Sequence, residues 1–156
     1  MEKKSLYSSE VYEDCLNRIE QLTPETQPQW CTMTAAQMLA HCSEIQEVTN
    51  GKELKNTPFI AKLFRGMIRK MVVNEKPYPK NTKTHPQYLQ TKDCDFATEK
   101  KRLLDALAQF VAGKEKPESI EHPLFGKMTI EEKGWGMVKH LDPHLTQNVM
   151  SLFRFL

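Results

Sequence analysis

Thr34-Ala35-Ala36-Gln37-Met38-Leu39-Ala40-His41-Cys42-Ser43-Glu44-Ile45-Gln46-Glu47-Val48-Thr49-Asn50-Gly51 is the stretch whose reading decides the fold. A threonine followed three residues later by glutamine is a capping box: the two side chains satisfy the backbone N–H groups that the first helical turn leaves without partners. From there Met38, His41, Ile45 and Val48 recur every three or four residues, so they share one face of a helix. Asn50-Gly51 supplies the stop, because the residue after a helix often needs a left-handed backbone.

The same signals recur on either side. Ser9 to Leu22 reads as a first helix, with Ser9 as N-cap and Val11, Cys15, Ile19 and Leu22 as its apolar stripe. Pro24 and Pro28 interrupt the chain before Trp30. A shorter amphipathic segment from Thr57 to Val73 has Ile60, Leu63, Phe64, Met67, Ile68 and Met71 on one face and Lys62, Arg65, Arg69 and Lys70 on the other. Asn74 to Lys92 carries three prolines and no periodicity, which predicts a long surface loop of the kind that often carries function. A further long helix spans Asp95 to Val111, with Phe96, Leu103, Leu107, Phe110 and Val111 facing inward and Gly113 ending it. Thr129-Ile130-Glu131-Glu132 opens the last helix with another capping box, and Val138, Leu141, Leu145, Val149 and Leu152 continue it to the terminus. Strand-like alternation is almost absent. The expectation is an all-α, single domain over residues 1–156: an antiparallel four-helix bundle with an extra short helix and a long loop between its second and third long helices.

Bulk composition narrows the function classes. A chain of 156 residues, 39% apolar and 27% charged, has the makings of one globular core. Its net charge of +2 gives no ground for a nucleic-acid partner. No apolar run approaches the roughly 20 residues that span a bilayer, and no h-region follows Met1-Glu2-Lys3-Lys4-Ser5. Cys15, Cys31, Cys42 and Cys94 are scattered without a C-x-x-C pair, as suits a reducing cytoplasm and thiols that serve as small core or surface residues. A homodimer is compatible with all of this.

Three histidines carry the chemistry. His140 and His144 stand four apart on the last helix, about 40° apart around its axis and about 6 Å along it, so both imidazoles can reach one ion. His41 lies on the apolar stripe of the second helix, and antiparallel packing can bring the two faces together. A single histidine on an apolar face is usually a hydrogen-bonded core residue. Three that converge would each need a buried partner of their own if no ion were there. Pro143 complicates the pair. It removes one helix hydrogen bond and clashes with the Lys139 carbonyl, a cost of about 3 kcal/mol in a regular helix. Either the helix kinks and the pair still converges, or Asp142 caps a new helix that begins at Pro143 and the histidines diverge. His85 and His122, each followed by proline, read as turn or surface residues; Leu124 and Phe125 then tuck inward before Thr129.

Trp30 with Met33-Thr34-Ala35-Ala36-Gln37-Met38-Leu39-Ala40-His41-Cys42 resembles the second-helix motif of the DinB-like superfamily, also called YfiT-like. His122-Pro123-Leu124-Phe125-Gly126-Lys127-Met128-Thr129 and His140-Leu141-Asp142-Pro143-His144-Leu145-Thr146-Gln147 are similar to its closing segment, above all in a branch described as a domain of unknown function. The resemblance implies a four-helix bundle holding nickel, zinc or iron through His41, His140 and His144, and it implies no DNA binding. Where that branch more often has a histidine or another helix-compatible residue, this chain has Pro143. Superfamily members include transferases and isomerases that use low-molecular-weight thiols. The functions implied are thiol-dependent transfer or hydrolysis of a small-molecule substrate. Three neutral imidazoles leave an ion an open position at which a bound water or thiol is acidified.

Helix spacing nominates Glu44, Gln37 and Gln147 as acceptors for the ligands' second ring nitrogens, and Glu44 as fourth ligand or general base; a solvated helix face is the commoner reading of all three. A binding module without catalysis is the competing class. Residues 52–83 hold nine Lys/Arg against two Asp/Glu, a local balance of +7. Such a basic amphipathic segment suits an acidic partner or membrane surface, although more often such a stripe packs on the bundle while its charges face water.

Overall fold

The computed structural model describes residues 2–28, 32–57, 59–78, 84–114 and 121–149. Trp30, Cys31 and Leu152 lie outside them. The described residues form six α-helices and no strand: α1 (Ser9–Glu20), α2 (Ala35–Thr49), α3 (Phe59–Leu63), α4 (Arg65–Val73), α5 (Phe96–Ala112) and α6 (Ile130–Val149). One 3-10 turn, Pro86–Tyr88, interrupts the loop between α4 and α5.

The caps account for where the long helices begin. Thr34 and Gln37 exchange the two bonds of the capping box at α2. Thr129 and Glu132 do the same at α6. The Asp95 carboxylate accepts from Thr98 N at 2.8 Å at the start of α5. Gly51, with φ at 112°, carries the chain out of α2 in a conformation that a side chain would strain. At α1 the cap residue is Ser8 rather than Ser9.

α2 is the central element, packed along α5 and also touching α6, while α1 lies on α6. Met38, Leu39 and Cys42 of α2 meet Leu103, Leu107 and Phe110 of α5 and Trp135, Val138, Leu141 and Leu145 of α6 in one apolar core. Asn50 ties the end of α2 to α5 by donating to the Ala106 carbonyl at 2.8 Å.

α6 runs unbroken through Pro143, so Asp142 does not cap a new helix there. Arg18 of α1 binds beside it, donating to the Asp142 carboxylate and carbonyl and to Thr146 Oγ1. Asp142 is thus engaged with α1. Near its start α6 needs two glycines. A Cβ on Gly134 would collide with the Ser5 hydroxyl, and one on Gly136 would press on Val72 of α4 at 3.2 Å.

The segment 57–73 differs from expectation. It is two helices, broken at Phe64, and its apolar stripe faces outward: Phe59, Ile60, Leu63, Phe64, Met67 and Met71 are all exposed, while Val72 is buried. Anchors on its other side explain the orientation. Lys139 of α6, itself buried, donates to the Met71 carbonyl at 2.6 Å and to the Asn74 carbonyl at 3.0 Å. Arg69 grips Glu132 through two nitrogens. A cation on the last carbonyls of α4 satisfies groups the helix cannot pair itself.

Candidate metal centre

α2 brings His41, and α6 brings His140 and His144, to one place. One ring nitrogen from each lies within 4.8 Å of the other two, a grouping that could hold a metal ion. Ring centroids are 5.2 Å apart for His41 and His140, 5.0 Å for His41 and His144, and 4.9 Å for His140 and His144. His41 is buried; the other two are half-buried.

The tautomer of His41 is fixed by its surroundings. Its Nδ1 lies 2.7 Å from the carbonyl oxygen of Tyr88, an acceptor only, so Nδ1 carries the hydrogen. Nε2 is therefore left with a lone pair, and it faces His140 Nε2 at 3.2 Å. Ligand nitrogens bound tetrahedrally at 2.0–2.1 Å would be about 3.3 Å apart, so the observed spacing fits a pair of ligands on one ion.

Electrostatics favours the same state. Burial holds His41 below the ordinary imidazole value, against the opposing pull of the Tyr88 carbonyl. His140 is driven well below it by burial and then by its neighbours His144 and His41. His144 is pushed down to about 4, by burial first and then by His41. At neutral pH all three rings are uncharged and offer lone pairs, as ligation requires.

Two of the three expected supporting residues are differently employed. Glu44 has both carboxylate oxygens engaged: Oε1 accepts from Gln87 at 2.7 Å, and Oε2 accepts from Lys52 at 2.6 Å and from Arg102. Gln37 serves the α2 cap and donates to the Lys92 carbonyl. Gln147 is buried. The partner of His41 that sequence reasoning missed is the Tyr88 backbone. It sits in the 3-10 turn of a loop whose length was its only signal.

Among the described residues, Cys15, Cys42, His85 and His122 are not part of this grouping. Burial pushes the Cys15 thiol up to about 11 and the Cys42 thiol higher still. His122 is at a turn, as its proline implies, closed by a bridge to Gly126, but it is buried rather than at the surface. Its Nδ1 accepts from Leu124 N, and its ring stacks on Phe125 at 3.9 Å. His85 caps the 3-10 turn by accepting from Gln87 N. No helix among the described residues is long and apolar enough to cross a membrane.

No curated protein and no solved structure matches the chain significantly. The model of one family does match, over residues 1–150. The chain belongs to that family, the proteins of unknown function DUF1569.

Proposed function

We propose that His41, His140 and His144 hold one divalent ion (nickel, zinc or iron) and that the protein is a cytoplasmic metal-dependent enzyme acting on a small molecule. The observation that carries this reading is three imidazoles whose ring nitrogens lie within 4.8 Å, one of them held by a backbone carbonyl in the tautomer a ligand needs. A bound divalent ion supplies Lewis acidity, which acidifies a thiol or a water at neutral pH. Transfer to a low-molecular-weight thiol is the leading reaction class, in keeping with the DinB-like resemblance, and hydrolysis is the nearest variant. We read α1, α2, α5 and α6 as the four members of a DinB-like antiparallel bundle in a single domain, a reading supported by the packing of α2 on α5 and of α1 on α6.

This chain's own residues supply positioning. Tyr88 orients His41 through its carbonyl. Glu44, expected as base or fourth ligand, acts in this proposal through Gln87: it anchors the turn that carries Tyr88. A carboxylate paired with Lys52 and Arg102 is held below its ordinary range despite the opposing effect of burial, which makes it a weak proton acceptor.

Metal analysis of the purified, untagged protein beside His41→Ala and His144→Ala tests the centre. Near-stoichiometric nickel, zinc or iron in the parent and loss in both variants is expected. Thiol-dependent turnover of electrophilic small molecules, abolished by chelator, would then establish the enzyme. A parent that takes up none of the three metals on titration sinks the proposal. Metal-dependent stability with no turnover would leave a metal-containing scaffold instead.

A further inference from the structure

The outward face of α3 and α4 is the largest feature that the histidine centre leaves unexplained. Phe59 is 81% exposed, Leu63 71%, Ile60 63% and Met67 57%. A contiguous stripe of that kind on a folded chain marks a surface that another body covers. Its orientation is imposed rather than accidental. Arg69 on Glu132, Arg65 on the Pro123 carbonyl and Lys139 on the Met71 carbonyl fasten the opposite flank to the rest of the molecule. A Cβ added at Gly66 would meet nothing within 4 Å, so the outer flank is open.

Charge identifies the occupant. Lys70 on α4, and Lys55 and Lys76 on the segments that lead into α3 and out of α4, are exposed and make no ion pair with a described residue, whereas Lys52, Arg65 and Arg69 are already paired with acidic side chains. A second copy of this chain, docked face to face, would set that charge against itself. A groove in an acidic protein would need to enclose the helix, yet one flank is already fastened down. A flat anionic surface needs only the free flank: apolar side chains enter at the level of the acyl boundary and lysines stay among the headgroups. We infer that α3 and α4 form a peripheral docking element for an anionic lipid bilayer. The inference does not depend on the histidine centre.

Flotation of the full chain with phosphatidylcholine vesicles, with and without about 30 mol% phosphatidylserine, tests it. Binding to the anionic vesicles is expected, at least about tenfold stronger than to the neutral ones and lost between about 0.05 M and about 0.5 M salt. The double variant Leu63→Asp/Met67→Asp should lose at least about tenfold in partitioning, since each large apolar side chain kept out of the bilayer costs roughly that factor. Lys55→Glu/Lys70→Glu should lose it too. Both variants replace exposed side chains, so melting temperature and metal content should match the parent. Equal binding to both vesicles, binding to neither, or binding that survives the Leu63/Met67 change would overturn the inference. So would a concentration-dependent dimer that both variants dissolve, which would make a second copy the occupant.

Discussion

His41 gives one ring nitrogen to the Tyr88 carbonyl and keeps the other for His140. The trio itself was legible in sequence, because i and i+4 on one helix and an apolar-face histidine on another leave few arrangements open. The carbonyl was not. Any residue has one, and only the fold brings position 88 to position 41. His122 escaped in a related way: proline after histidine marks a turn but says nothing about burial. The folded protein holds His122 down to about 3, by burial and then by the nearby charges of Arg65 and Lys133, whereas the unfolded chain takes up the proton near 6.5. The unfolded state therefore binds more protons as pH falls from 6.5 towards 3, and stability declines across that window. His122→Asn keeps an acceptor for the Leu124 N–H and removes the titration. Urea denaturation at stepped pH should show a flatter loss between pH 6.5 and 4 in the variant. An unchanged slope would mean that His122 is not buried in its neutral form.

Among the elements, the capped helices were readable because caps are local chemistry. The break at Phe64 and the outward stripe were not. Periodicity tells which residues share a face, but the anchors that decide where the face points are distant: Glu132 and Lys139. The joint between α2 and α5 is likewise long-range. Arg102 of α5 binds Glu47 through Nε and Nη2, Glu44 through Nη2 and Glu99 through Nη1. Arg102→Leu takes one cation from three carboxylates, two of them on α2 and both still paired with Lys52, at a cost of about 1–3 kcal/mol, readable as a lower urea midpoint at pH 7. The sign of the acid response follows from Glu47, held at about 2 chiefly by its hydrogen bond from Arg102, against 4.5 when unfolded. Stability from that pair is complete above pH 4.5 and drains away towards pH 2. The Arg102→Leu penalty should therefore shrink as pH falls through that window; a constant penalty would assign the loss to packing. On α6, Pro143→Ala should restore the helix bond to the Lys139 carbonyl and raise stability by about 1–3 kcal/mol. Because i and i+4 converge in a regular helix, metal retention should persist. Loss of metal in this variant would show that Pro143 itself sets the site.

For the whole molecule, an ion held by the three histidines would belong either to the fold or only to its chemistry. α1, α2, α5 and α6 share one apolar core that contains none of the three histidines, so the helices have reason to pack without an ion. A site on two helices, α2 and α6, nevertheless couples binding to folding, since the unfolded chain separates His41 from His140 by 99 residues. An ion that binds only the folded state adds about 2.7 kcal/mol at a hundredfold excess over its dissociation constant. In a domain of this size each kcal/mol moves the melting temperature by roughly 2–4 °C, so saturating metal should raise it by about 5–10 °C. Chelation should return the protein to a folded, less stable state rather than to a random coil, and the far-UV helical signal should survive. His144→Ala should melt at one temperature with or without metal. A parent whose far-UV signal collapses on chelation would mean that the apolar core is insufficient and the ion is a folding element; a parent insensitive to metal would mean that the three rings pack together for their own sake.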